Sequence, residues 1–125
     1  MTEAVRPASW DAAASRKRCL KFRRRILDIS QNVTALHIAP AFSCIEIVDS
    51  IYYGLMRRHP SGESPDTFLM SKGHGCMAQY VLLEEMGVLL SEEIDRYCTA
   101  EGLLGAHPDY GVPGIEASTG SLGHG

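Results

Sequence analysis

The sequence predicts an α/β fold in which helices outnumber strands. Residues 9–36 and 43–58 carry apolar side chains at the three- and four-residue spacing of amphipathic helices. Residues 67–71, Thr-Phe-Leu-Met-Ser, form a short apolar run typical of parallel strands that are buried on both faces. This run leads through a glycine-bearing turn into a nearly all-apolar helix, an order that forms the front of a βα unit. We therefore expect helices packed on a parallel sheet, in one domain of ordinary size.

The first predicted helix follows a loose lead-in, residues 1–8, and covers residues 9–36. One continuous apolar stripe runs along it, formed by Cys19, Phe22, Ile26, Ile29, Val33 and Leu36. The neighbouring Lys and Arg residues fall off this stripe, so the basic run is most simply the solvated outer face of the helix.

Charge is divided unevenly along the chain, whose formal net charge is −3. Residues 1–25 hold eight of the twelve Lys and Arg residues against two acidic residues, and residues 26–125 hold four against thirteen. A basic head on an acidic body suits a nucleic acid, an acidic partner surface or a solvated helix face. Because Phe22 is the one aromatic residue interleaved with the basic run, we expect no nucleic-acid partner.

Residues 37–42 interrupt the helical pattern, because Pro40 disfavours the α conformation of the residue before it. Ser43 and Glu46 have the spacing of a capping box, in which each side chain bonds to the backbone N–H of the other residue. They predict the start of a second helix over residues 43–58. A loop rich in turn-forming residues follows over residues 59–66.

The predicted strand, residues 67–71, precedes Lys72-Gly73-His74-Gly75 and a helix that ends at Gly87. Ligands in such folds collect at the carboxyl ends of strands, beside the N-termini of helices. We expect Ser91 to cap a short fourth helix with acidic residues in its first turn. Beyond Cys98 the chain is irregular and rich in glycine, which is typical of a functional segment.

The four cysteines are too far apart in sequence to form a paired metal or redox motif. No stretch approaches the ~18 apolar residues of a membrane span. The N-terminal basic cluster precedes an amphipathic pattern instead of the apolar core of a signal peptide. We expect a cytoplasmic protein that does not contact a membrane.

The candidate functional residues are histidines and glycines. Four of the five histidines, His37, His74, His107 and His124, stand beside a glycine or at the edge of a predicted element. Any one of them is more often a structural residue, but His74 lies where a strand gives way to a helix. Zinc-site spacing, a Walker A pattern and a nucleophile elbow are all missing from the sequence. Imidazoles beside glycine backbone suit a polyoxygenated or phosphorylated ligand.

Three motifs, in order and at intact spacing, resemble the transketolase family, and most closely the N-terminal subunit of its split type. They are Phe68-Leu69-Met70-Ser71-Lys72-Gly73-His74-Gly75, then His107-Pro108, then Gly114-Ile115-Glu116-Ala117-Ser118-Thr119-Gly120-Ser121-Leu122-Gly123. The resemblance extends from about residue 20 to the end. It implies that residues 9–125 form the front part of a thiamine-diphosphate-binding domain whose parallel sheet is incomplete in this chain.

The resemblance implies transfer of a two-carbon ketol unit between sugar phosphates, with thiamine diphosphate and Mg²⁺ bound between domains at a subunit interface. His37 would lie near the substrate hydroxyls and the thiazolium, and His74 would reach the cofactor diphosphate or the substrate. His107 would hydrogen-bond the terminal hydroxyl and carbonyl oxygen of the donor. The cofactor's rings would lie beside a segment formed by Gly120, Ser121, Leu122, Gly123 and His124.

The chain departs from the family pattern in several places. Leu36 precedes His37 where the family usually has glycine, and His124 stands where classical transketolases have glutamine. The family's metal motif, Gly-Asp-Gly followed by Asn, would come after Gly125, so we expect no metal ligand in this chain.

We expect a transketolase component, part of a hetero- or homo-oligomer, that is inactive alone and needs a complementary subunit or downstream segment. The alternatives are a degenerate module with a scaffold or regulatory role and the front of a longer N-terminal subunit.

Overall fold

The computed structural model describes residues 2–7 and 10–120. Its α-helices are α1 (Ala12–Ser30), α2 (Ile38–Phe42), α3 (Ile45–Ser50), α4 (Cys76–Glu85) and α5 (Ser91–Asp95). A π-helical turn, Ile51–Leu55, continues α3, and a 3₁₀ turn, Gly73–Gly75, leads into α4. None of the helices formed by the described residues is long and apolar enough to cross a membrane.

Helix α1 begins where Asp11 caps it and ends earlier than its apolar pattern predicts. The Asp11 carboxylate accepts hydrogen bonds from the N–H groups of Ala13 and Ala14, at 3.3 and 2.9 Å. The helix ends at Ser30 because the N–H groups of Gln31 and Asn32 bond to carbonyls three residues back. The predicted stripe is nevertheless buried as far as Ile29, and its last members, Val33 and Leu36, pack on the same core from a non-helical segment.

The predicted capping box at Ser43 is wrong. Cys44, not Ser43, is the N-cap of α3, and no side chain there bonds to a free N–H group. The Ser43 hydroxyl donates instead to the carbonyl oxygen of Pro40, at 2.9 Å. The Glu46 carboxylate forms an ion pair with Arg23, at 2.6 Å. Pro40 lies in the first turn of α2. Backbone N–H groups there have no acceptor within the helix, so the N–H that proline lacks costs no hydrogen bond.

The predicted strand is an extended segment without a neighbouring strand. Phe68 and Met70 pack towards the core, whereas Thr67 and Leu69 face solvent, the two-residue alternation of an extended backbone. Residues 2–7 and 10–120 form no β-sheet. Within these residues an isolated antiparallel β-bridge joins Val5 to Arg58. Hence the helix-rich part of the predicted fold is present, and the parallel sheet is not formed by the described residues.

Helix α4 is the centre of the core. Every residue from Cys76 to Leu83 is buried, as the apolar sequence predicts, and α1, α2, α3 and α5 all pack against this helix. It stops before Gly87, whose φ of 74° lies in the left-handed region that glycine adopts at no steric cost.

A buried carboxylate joins α1 to α3. The side chain of Asp49 is fully buried. It accepts hydrogen bonds from Ser15 Oγ at 2.6 Å, Arg18 Nε at 2.7 Å and Arg18 Nη2 at 3.0 Å. The Arg18 guanidinium also lies 3.9 Å from the centroid of the Tyr53 ring. Because a buried charge is stable only with such partners, Asp49 fixes the position of α3 on α1.

Replacing Arg18 by Met should therefore destabilise the chain strongly, because Asp49 would lose its counter-charge in the core. We expect the free energy of unfolding in urea to fall by about 3 kcal/mol. The matched control is Arg96→Met, which breaks a long 3.9 Å contact between the exposed Arg96 and Glu93 and should change stability by about 0.5 kcal/mol or less. The double variant Arg18→Met/Asp49→Leu should recover most of the loss, and equal losses in the two Arg variants would contradict the role given to Asp49.

Candidate functional site

Three histidines from three separate segments meet on one side of the molecule. His37 is the N-cap of α2, His74 lies in the 3₁₀ turn before α4, and His107 lies in the irregular C-terminal segment. The ring centroid of His37 is 6.0 Å from that of His74 and 5.6 Å from that of His107. We call these three residues the histidine cluster. His59 lies apart from it, with Nδ1 3.1 Å from the carbonyl oxygen of Thr2.

The histidine cluster opens to solvent at His37. The His37 side chain is exposed, whereas His74 and His107 are half-buried. A ligand would therefore meet His37 at the mouth of the site and the other two imidazoles further in. Imidazoles both donate and accept hydrogen bonds near neutral pH, which suits a ligand rich in hydroxyl and phosphate oxygens.

Two glycine motifs from distant parts of the sequence touch beside the cluster. The N–H of Gly73 donates to the carbonyl oxygen of Gly120, at 2.9 Å. A Cβ added at Gly73 would lie 2.7 Å from the Gly120 nitrogen and 2.8 Å from its Cα, so the backbones could not approach this closely with any other residue. A Cβ added at Gly120 would have no described atom within 4 Å, so the space beside this glycine is open among the described residues.

Thr119 anchors the same segment on both sides. Its hydroxyl donates to the carbonyl oxygen of Met70 at 2.6 Å, and its N–H donates to that of Pro108 at 3.1 Å. These bonds join the end of the extended segment to the residue after His107. Ser121, Leu122, Gly123 and His124, predicted to bind the cofactor, lie outside the described residues.

Lys72 belongs to this site, although we predicted no role for it from the sequence. Its ammonium group donates to the carbonyl oxygen of Pro40 at 3.0 Å and to the Ser43 hydroxyl at 2.6 Å. It thereby ties α2, which carries His37, to the turn that carries His74. The sequence did offer a signal for Lys72, because it places a lysine between the apolar run of residues 67–71 and the turn that begins at Gly73.

Thiols near the site are held in the protonated form. Burial raises the pKa of the Cys44 thiol, with Lys72 opposing the change, and Sγ lies 3.3 Å from the Pro40 carbonyl oxygen. Burial also raises the pKa of Cys76 to about 12, and its Sγ lies 3.2 Å from the carbonyl oxygen of Ala106. Neither thiol is a ready nucleophile at neutral pH, because the thiolate is the reactive form.

Metal ligands are not grouped in the described part of the chain. No set of three or more His, Cys, Asp or Glu side chains there could hold a metal ion. A groove of about 790 Å³ lies along the outer face of α1, and its lining includes Lys17, Leu20 and Lys21 but no histidine. The described residues of the site offer imidazoles, the Lys72 ammonium group and glycine backbone.

Comparison with known proteins agrees with this chemistry. Residues 15–125 match the family described as "Transketolase, thiamine diphosphate binding domain". The chain is 39% identical over 108 residues to an apulose-4-phosphate transketolase subunit of Phocaeicola vulgatus, covering 84% of this chain and 38% of that protein. The protein of the same name from Actinobacillus succinogenes is 32% identical over 114 residues, covering 87% and 41%.

A third relative, a transketolase of Treponema pallidum, is 31% identical over 117 residues, covering 90% of this chain and 18% of that protein. The chain thus spans about two-fifths of the length of the two apulose-4-phosphate transketolase subunits. No solved structure matches it significantly.

Replacing Gly73 by Ala should damage the site through its contact with Gly120. The added methyl group would displace the 119–120 segment, and we expect a loss of about 1–3 kcal/mol in the free energy of unfolding. The control is Gly105→Ala, whose Cβ would make ordinary contacts at 3.6 and 3.7 Å. Urea unfolding of both variants checks this, and equal stability of the two would refute the close approach.

Proposed function

Because this chain belongs to the family of the transketolase thiamine diphosphate-binding domain, we propose that it supplies one side of a transketolase active site. The reaction is transfer of a two-carbon ketol unit between sugar phosphates. The observation that carries the proposal is the convergence of His37, His74 and His107 beside the contact between Gly73 and Gly120. The names of two relatives make apulose-4-phosphate the first substrate to test.

The donor groups of the described residues suit thiamine diphosphate. The space beside Gly120 is open among the described residues, and the imidazoles of the histidine cluster offer hydrogen bonds to oxygen atoms. We propose that His74 binds the diphosphate or the substrate and that Gly120, Ser121, Leu122, Gly123 and His124 lie beside the rings. When bound, thiamine diphosphate supplies a nucleophilic carbon and an electron sink for ketol transfer.

The histidines would act on the sugar. His107 is half-buried and 5.6 Å from His37 between ring centroids, so a sugar chain lying alongside the pair could contact both imidazoles. We propose that His107 holds the terminal hydroxyl and carbonyl oxygen of the donor and exchanges a proton there. His37, at the exposed mouth, would bind hydroxyls of the incoming sugar.

We propose that a complementary polypeptide or chain segment completes the site. Two relatives are named as subunits of a transketolase, which supports a partner polypeptide in a hetero- or homo-oligomer. The partner or segment would contribute the pyrimidine-binding domain and the ligands of Mg²⁺, which anchors the diphosphate. Residues 9–125 would form part of the cofactor domain after a lead-in of residues 1–8, in a cytoplasmic enzyme.

The activity test uses the full-length protein assembled with its complementary subunit, thiamine diphosphate and Mg²⁺. We expect His107→Ala to lower kcat about 100-fold, since the transferred proton and the donor's oxygen atoms would lose their partner. His59→Ala is the matched control, because it removes an imidazole outside the histidine cluster, and should leave kcat unchanged. An unchanged rate in His107→Ala would remove its assignment, and a stable assembly without any transfer activity would favour the scaffold alternative.

Gly120→Ala tests, without relying on turnover, whether the cofactor's rings lie in the open space beside Gly120. The added methyl group meets no described atom, so the melting temperature of the protein should stay unchanged. We expect binding of thiamine diphosphate, measured by calorimetry on the protein assembled with its complementary subunit and with Mg²⁺ present, to weaken about tenfold because the methyl group would occupy space proposed for the rings. Unaltered affinity would mean that the rings lie elsewhere.

A further inference from the structure

Two buried tyrosines donate hydrogen bonds from their hydroxyl groups to the backbone at or near two members of the histidine cluster. Tyr80 in α4 and Tyr97 just after α5 are both fully buried. Their ring centroids are 6.3 Å apart and the rings meet edge to face. The pair therefore forms a rigid unit in the core, and its two hydroxyls reach two different loops.

The Tyr80 hydroxyl fixes the backbone around His107. It donates to the carbonyl oxygen of His107 at 3.1 Å or to that of Gly105 at 3.2 Å. Both acceptors belong to the irregular segment, where no helix or strand holds these residues. The hydrogen bond from Tyr80 therefore restrains the His107 backbone, as the hydrogen bonds of a helix or strand would elsewhere.

The Tyr97 hydroxyl fixes the backbone before His37. It donates to the carbonyl oxygen of Ala35 at 3.1 Å. His37 follows two residues later and is exposed, so packing alone does not hold its side chain. The position of its imidazole consequently depends on how firmly residues 35–37 are attached to the core.

Packing does not require either hydroxyl. Phenylalanine would fill nearly the same volume, and a buried hydroxyl is unfavourable unless it is hydrogen-bonded. Burial is the main cause that raises the pKa of both tyrosines, so both remain neutral donors throughout the physiological range. The hydroxyls are therefore permanent donors directed at two loops of the candidate site.

We propose that Tyr80 and Tyr97 are positioning residues that together set the separation of the His107 and His37 imidazoles. Each hydroxyl holds one histidine-bearing loop, and the contact between the two rings holds the loops relative to each other. The effect on turnover rests on the proposed transketolase function, whereas the effect on the histidines does not.

The test compares Tyr80→Phe and Tyr97→Phe with Tyr52→Phe in the full-length chain. Tyr52 is also buried, but its hydroxyl accepts a hydrogen bond from the core side chain of Gln79, at 2.9 Å from Nε2. Imidazole resonances of ¹³C-labelled protein, assigned with His37→Gln and His107→Gln, report the two rings separately. We expect Tyr97→Phe to shift the His37 resonance, Tyr80→Phe to shift the His107 resonance, and Tyr52→Phe to shift neither.

A second variant distinguishes the donor from the ring. Introducing 4-aminophenylalanine at position 97 keeps an N–H donor and should restore the His37 resonance that Tyr97→Phe displaces. If both Phe variants leave the two histidine resonances where the control leaves them, the positioning role is overturned.

Activity of the assembled enzyme separates this proposal from the proposed function. With transketolase activity present, each Phe variant should lower kcat by about threefold to tenfold, with little change in KM. Selective resonance shifts in a protein without transferase activity would leave the positioning role intact and refute the proposed function. Full activity together with unshifted resonances would refute the positioning role and leave the proposed function intact.

Discussion

Burial of helix α4 is the constraint on which the rest of the structure depends. Residues Cys76 to Leu83 are all buried, and the helix is covered by α1, α2, α3 and α5 together with part of the irregular C-terminal segment. Its N-terminal end carries the turn with His74, and its Tyr80 holds the His107 backbone from within the core. The same apolar helix therefore supplies the stability of the chain and the geometry of the candidate site.

The irregular C-terminal segment is ordered by a few specific backbone contacts. Gly73 touches Gly120, Thr119 bonds to the carbonyl oxygens of Met70 and Pro108, and Tyr80 reaches the carbonyl oxygen of His107. Because these contacts join the segment to α4, to the turn and extended chain before it, and to itself, a segment without helix or strand can still hold site residues in place.

The uneven charge of the sequence is used within the molecule. The basic residues Arg18, Lys21, Arg23 and Arg25 bind acidic partners on α3, α4 and α5. The solvated face predicted for this run is formed by the exposed Arg16, Lys17 and Arg24. The basic N-terminal residues and part of the acidic remainder of the chain thus pair with each other across the helix contacts, and Asp49 is the fully buried member of these pairs.

The sequence by itself determined what depends on residues near one another in the chain. The periodicity of α1, the apolar surface of α4 and the order of the family's motifs are all local, and they predicted both helices and the candidate histidines. Only the structure shows where α1 stops, that Cys44 and not Ser43 is the N-cap of α3, and that residues 67–71 lack a neighbouring strand among the described residues. Tertiary structure alone brought Gly73 to Gly120 and His37 to His107. The last two are contacts between distant segments, and local patterns cannot specify them because their energy comes from the packed core.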